Sequence, residues 1–273
     1  MKIVIGSNTF GKYHRQDVAV DSWKYLQSNF DVDVYDIQFA DEKSTFENPY
    51  DLHTIHDLKR SSKSILSKSK KKLPFVNDII SCLSNIDCDY FIFTNSDVII
   101  NNNLIKFIQN NKPVAFGCSR LDIQDVKSFQ DILDKKVTPV RYEIAGFDTF
   151  VFKKKWYLDH VDLFRDYLLS MPVWDQVYTT LMKIYGNNDL FGNNYPPYCF
   201  HIHHEMNWQQ TDSMEKEFNI NSNRGSHMDR LMCKIFDTYL QSVLIKRQPW
   251  GAFITPVKAE EVVEKEFFNK LKV

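Results

Sequence analysis

The chain has 273 residues, 43% of them hydrophobic, which is enough to bury the core of one large domain. Lys and Arg number 34 against 35 Asp and Glu, a formal charge of −1, so no global field draws the protein to nucleic acid or to an anionic membrane. Its five cysteines are odd in number, scattered and without Cys-x-x-Cys spacing, which excludes a disulfide framework or a thiolate zinc site and suits a reducing cytoplasm. No apolar run approaches the roughly 20 residues needed to span a bilayer, and the first residues are too short an apolar stretch for a signal peptide.

Residues 2–7 read as a short buried strand that breaks at Gly6-Ser7-Asn8-Thr9, and Ala19, Trp23, Leu26 and Phe30 then recur at helical spacing. A second strand spans 32–39 and carries Asp36 towards its end. A basic segment follows, with Lys59, Arg60, Lys63, Lys68, Lys70, Lys71 and Lys72 interleaved with serines. Val76, Ile79, Ile80, Leu83 and Ile86 trace the apolar stripe of the next helix, which carries Asp78.

The run over 89–97, Asp-Tyr-Phe-Ile-Phe-Thr-Asn-Ser-Asp, is the most informative stretch. An apolar strand leads straight into Asn95, Ser96 and Asp97, and a helix is expected to follow around Leu104, Ile105, Phe107 and Ile108. Carboxyl ends of strands form the ligand crevice of an open α/β sheet, so Asp97 is placed to hold a divalent metal against phosphates. The plain alternative is a turn whose Asp caps the following helix.

Further strands are expected at 113–118, 149–152 and 198–203, and helices at 154–169, 174–184, 228–244 and 259–271. Strands alternating with helices predict an α/β fold with a doubly wound, mostly parallel sheet. Asp148 stands just before a strand and Asp175 follows Trp174 at a helix start. Each has a structural alternative, Asp148 as a turn residue and Asp175 as a first-turn acid facing the helix dipole. Along 199–205, Cys-Phe-His-Ile-His-His-Glu, alternation puts His201 and His203 on one face and His204 on the other. These histidines could equally make internal hydrogen bonds.

In the order strand, polar turn, helix, strand, basic segment, Asp-bearing helix and Asn-Ser-Asp, the first half resembles glycosyltransferases of the GT-A fold. The Asn95-Ser96-Asp97 segment is similar to the Asp-x-Asp metal-binding motif of that fold, with Asn95 in place of its first Asp. The resemblance implies a nucleoside-diphosphate sugar donor, UDP-sugar by default, and Mn²⁺ or Mg²⁺. It implies Asp97 and His203 as metal ligands, His203 being preferred for its place at the strand end. It implies Asp148 on the donor sugar and Asp175 facing the acceptor, as general base if the reaction inverts. For the nucleotide it points to Ser7, Thr9, Arg15, Lys72, Asp78, Asn95, Ser96 and Arg120, with Arg120 and Asp122 alternatively a structural ion pair.

The organisation expected is a single GT-A-like domain over 1–273, with a nucleotide-binding half (1–120), an acceptor and sugar half (121–225) and a C-terminal helical extension (226–273). The acceptor is a glycan precursor or a hydroxymethylated DNA base. The second option rests on the basic run alone, which could also hold diphosphate oxygens or be a solvated face. Two other classes stay open. A nucleotidyltransferase would want a Gly-rich phosphate loop, and Gly6 to Gly11 supplies two glycines; a binding module would act without turnover.

Overall fold

A computed structural model describes residues 1–65, 72–164, 166–170, 174–186 and 197–204. The strands are β1 (Ile3–Ser7), β2 (Val32–Phe39), β3 (His53–Leu58), β4 (Tyr90–Thr94), β5 (Val98–Ile100), β6 (Ala115–Ile123), β7 (Pro139–Lys153) and β8 (Cys199–Ile202). The helices are α1 (His14–Asn29), α2 (Ser62–Ile65), α3 (Val76–Asn85), α4 (Asn102–Asn111), α5 (Phe129–Leu133), α6 (Lys154–His160) and α7 (Trp174–Tyr185). The expected helices at 228–244 and 259–271 lie outside the described residues.

The eight strands form one sheet in the order β3-β2-β1-β4-β7-β6-β8-β5. The ladders β2–β3, β1–β2, β1–β4 and β6–β8 are parallel, while β7 runs antiparallel to both β4 and β6, and β5 runs antiparallel to β8. Every residue of β1 and β4 is buried, as expected where helices cover both faces of a parallel sheet. The expected α/β sheet is therefore present, parallel in its first half and mixed in its second.

Several elements differ from the sequence expectation. Val98, Ile99 and Ile100 form β5 instead of passing straight into a helix, because three β-branched residues fit a pleated, buried edge better than a helix. α4 starts after Asn101, whose side-chain oxygen accepts the Asn103 amide at 3.0 Å, so Asn101 is the cap and Asp97 is left in the β4–β5 turn. β7 begins ten residues earlier than the strand expected at 149, and the helix expected over 154–169 stops at His160 and passes into a single 3-10 turn. β3, half-buried or exposed except at Leu58, was not anticipated.

α1 anchors β5. The Trp23 indole donates to the Val98 carbonyl at 3.0 Å and the Ser22 hydroxyl accepts the Ile100 amide at 3.1 Å. On the other side of the site, Trp174 of α7 packs on Phe93 and Phe150, with ring centroids 5.7 and 5.3 Å apart. These rings stand two residues before Asn95 and two after Asp148, so α7's first turn is held against the β4–β7 pair. α3 packs on β1 through Leu83, so closely that a Cβ on Gly6 would lie 2.2 Å from a Leu83 methyl.

That close approach sets a testable requirement. Gly6→Ala overpacks a buried contact and should cost about 1–3 kcal/mol in chemical denaturation. Adding Leu83→Ala should remove the clash, so that the double variant is more stable than the sum of the single losses predicts.

Candidate active site

The chain leaves β4 at Thr94 and turns through Asn95, Ser96 and Asp97 before β5. The turn is locked to β7: the Asn95 amide donates to the Asp148 carbonyl at 2.9 Å, and the Asn95 side-chain NH₂ donates to Asp148 Oδ1 at 2.6 Å. Arg120 of β6 pairs with the same Asp148 carboxylate. Its Nε also donates to Asp122 Oδ1 at 3.1 Å. Asp148 is thus held between a cation on β6 and an amide in the turn that follows β4.

β8 brings the histidines. Its register against β5 sets His201 opposite Val98, next to Asp97, and its register against β6 sets the same residue opposite Asp122. His201 Nε2 lies 3.6 Å from Asp97 Oδ2, and His204 Nε2 lies 3.8 Å from the same oxygen. Asp97, His201 and His204 each offer a donor atom, all within 4.8 Å of one another. Burial alone would raise the Asp97 carboxyl, but the two imidazoles beside it and the charge on Arg120 outweigh burial and hold it well below the usual carboxylate range. A carboxylate that stays ionised beside two imidazole nitrogens is a donor set suited to a divalent transition metal. The side-chain oxygen of Asn95 is buried and has no hydrogen-bond partner, so this turn also holds an unsatisfied acceptor.

His203, the preferred ligand at the sequence level, is turned the other way. β8 ends at Ile202, after which strict alternation no longer applies. The His203 amide donates to the Ile123 carbonyl at 2.8 Å, and its Nδ1 lies 3.6 Å from Asp122 Oδ2. The chain bend after Ile202 instead delivers His204 to Asp97, its ring 4.9 Å from that of His201.

The first loop closes the other side. Ser7 and Thr9 are buried, and the Thr9 amide donates to Asp36 Oδ1 at 2.9 Å, while Gln38 donates to the Thr9 carbonyl at 2.6 Å and to both Asp36 oxygens. Tyr13, which the sequence reading passed over, sits 3.4 Å by its hydroxyl from Ser96 Oγ and stacks on Phe10 at 5.8 Å. Burial, then the negative charge of Asp97, push its phenol up to about 12. Arg15 lies over the Tyr13 ring at 5.4 Å, with a buried Nε that has no hydrogen-bond partner. A polar turn followed by two aromatics around a short helix start was the available signal for Tyr13.

Two expected nucleotide contacts are engaged elsewhere. Lys72 binds Asp41 at 2.6 Å and Glu42 at 2.8 Å, over the Phe39 ring. Asp78 pairs with Arg60, which also binds Asp166 at 2.6 Å. Asp175 occupies the first turn of α7, directly after the Trp174 anchor.

No family model matches the chain, and no curated protein matches it. Among solved structures it is similar to residues 1–349 of TarS from Staphylococcus aureus, at 12% identity over 89% of this chain and 78% of that one, with a TM-score of 0.39. It is similar to the galactosyltransferase LgtC in complex with donor and acceptor sugar analogs, at 9% identity over 82% and 96%, with a TM-score of 0.36. It is also similar to the glycosyltransferase GlyE of Streptococcus pneumoniae, at 13% identity over 81% and 60%, with a TM-score of 0.35. All three scores are low, so the functional reading rests on the site.

Asp36 gives this region a pH signature. Burial raises its carboxyl from 3.8 to about 6, against the opposing hydrogen bonds from Thr9 and Gln38. Between those values the folded state holds more protons than the unfolded state, so stability falls as pH rises through that window. Relative to Asp36→Asn, which cannot titrate there, the parent should lose about 2 kcal/mol from pH 4 to pH 6, read as diverging melting temperatures.

Proposed function

We propose that this protein is a metal-dependent glycosyltransferase that moves a sugar from a nucleoside-diphosphate donor, UDP-sugar by default, to an acceptor hydroxyl. The observation that carries this reading is the convergence of Asp97, His201 and His204 at the carboxyl end of β4, from both halves of the chain. Asp97, His201 and His204 would hold the cation. A divalent cation there would supply the counter-charge that a departing nucleoside diphosphate requires. Two imidazole donors favour Mn²⁺ over Mg²⁺, which prefers an all-oxygen shell.

The remaining groups have roles that follow from their chemistry. Ser7, Thr9, Arg15 and Ser96 line the donor side, where the unpartnered Arg15 Nε is a ready donor to a phosphate oxygen. Asp148, pre-positioned by Arg120 and Asn95, accepts hydrogen bonds from sugar hydroxyls. Asp175 faces the acceptor and, in an inverting reaction, removes the proton from its hydroxyl as the new bond forms.

A glycan acceptor is favoured over a modified DNA base. Of the four described members of the basic run, Lys59, Arg60 and Lys72 each have an acidic partner within 4.0 Å, which offsets part of the charge that DNA binding would use, and Lys63 stands exposed on α2.

Release of UDP from candidate UDP-sugars tests the reading. Turnover should require Mn²⁺, and Asp97→Asn should lower it on the order of 100-fold. A donor hydrolysed equally fast by that variant, or without any divalent cation, rejects the metal-dependent mechanism. Production of a nucleotide sugar from a sugar phosphate would instead favour a nucleotidyltransferase. In a second assay, Asp175→Asn should cut transfer to the acceptor by roughly 10²–10⁴ while donor affinity stays within a few-fold. Unchanged transfer removes Asp175 as the base.

A further inference from the structure

The reading of Asp97, His201 and His204 as a cation site gives no role to the buried acid that adjoins it. Asp122 is on β6, its side chain 1% exposed. A carboxylate so deeply placed needs compensating partners, and here they are ordered. Oδ1 lies 3.1 Å from His201 Nδ1 and 3.1 Å from Arg120 Nε, and Oδ2 lies 3.6 Å from His203 Nδ1.

The contact with His201 has a chemical consequence. A neutral imidazole carries a single N–H, and a carboxylate facing one ring nitrogen places the proton on that nitrogen. Two carboxylates face this ring, but Asp122 Oδ1 at 3.1 Å from Nδ1 is within hydrogen-bond distance and Asp97 Oδ2 at 3.6 Å from Nε2 is not, so the proton is placed on Nδ1 and the lone pair is left on Nε2. The two strand registers make this arrangement a property of the fold: β6 sets Asp122 opposite His201, and β5 sets Val98, one residue after Asp97, opposite the same histidine. One ring is thus held between a proton acceptor on one edge and the ion site on the other.

We propose that Asp122 is a positioning residue that fixes His201 in its Nδ1–H tautomer and so presents Nε2 as a metal donor beside Asp97 and His204. This rests on the cation-site reading above. Outer carboxylates that orient ligating histidines typically contribute a factor of 10–100 in metal affinity. A purely structural Asp122, present to neutralise Arg120, would change neither the tautomer nor the affinity for metal.

Two measurements on the full chain separate these cases. Long-range ¹H–¹⁵N spectra of the metal-free protein report the tautomer of each histidine, and His201 is assigned by its loss in His201→Gln. The parent should show His201 protonated on Nδ1; protonation on Nε2 overturns the proposal without need of any variant at Asp122. Mn²⁺ affinity, read from the electron paramagnetic resonance of the free ion, should fall 10–100-fold in Asp122→Asn, with the His201 pattern shifted to a tautomer mixture. His203→Gln, which removes the Oδ2 partner of Asp122 and lies outside the cation site, should keep the Nδ1–H pattern and should not weaken Mn²⁺ binding; weakening there would make His203 the ligand that Asp122 serves and overturn the proposal. Parent protein that binds no Mn²⁺, or binds it equally well as Asp97→Asn, rejects the cation site itself. Binding lost in Asp97→Asn but retained in Asp122→Asn rejects only the role of Asp122.

Discussion

The site depends on β7 running antiparallel between β4 and β6. Four parallel strands, β3, β2, β1 and β4, stand in a row on one side of the sheet, and a further parallel strand would add only its own terminus. The reversed strand does something else: its pairing of Thr94 with Thr149 brings the segment before Asp148 to the exit of β4, where the Asn95 amide and side chain both bond to Asp148. β6 and β8 then follow as a parallel pair beyond it, carrying Arg120, Asp122 and His201 to the same edge. Residues from widely separated parts of the chain therefore meet through backbone ladders, which are stiff and fully satisfied, and not through loops alone.

The charges at that edge alternate. Asp97 faces His201 and His204, His201 faces Asp122, Asp122 faces Arg120, and Arg120 faces Asp148, which accepts from Asn95. Each buried acid has a donor beside it, as buried ions require, because an uncompensated one would cost several kcal/mol. The pattern also means that no side chain in the series must reorganise greatly when a charged ligand arrives. Preorganised dipoles and charges are the usual source of electrostatic stabilisation in an active site. The cost of holding such a network is met by the aromatic floor beneath it, where Phe93, Phe150, Trp174 and Tyr178 lock the strand ends against α7.

How much of this was legible in the sequence varies with the range of the interaction. The β1 to α1 to β2 opening, the α3 stripe and the apolar β4 ending in Asn95-Ser96-Asp97 follow from local periodicity and were read directly. Asp97 and the histidine-rich strand were singled out for sound reasons, since an acid at a strand terminus and imidazoles at a strand exit suit a cation. His203 was preferred over His204 for its place at the end of the strand expected over 198–203, whereas the strand stops at Ile202. β5 was missed because three β-branched residues are too short a run to announce a strand without knowledge of the β8 edge they pair with. Asp122 was read only alongside Arg120, and Tyr13 was passed over, because what each does depends on the His201 and Ser96 side chains brought opposite them.

The amino-acid sequence by itself determined the α/β alternation, the buried strands of the first half and the chemical types available for a site. Those properties depend on side-chain polarity repeating every two or 3.6 residues, which a linear chain displays openly. Tertiary structure alone decided which histidines meet Asp97, that Lys72 and Asp78 are tied up by other charges, and that Asp122 backs His201. Those outcomes turn on strand order, ladder register and the point where β8 stops, and each is set by pairing between segments as many as a hundred residues apart.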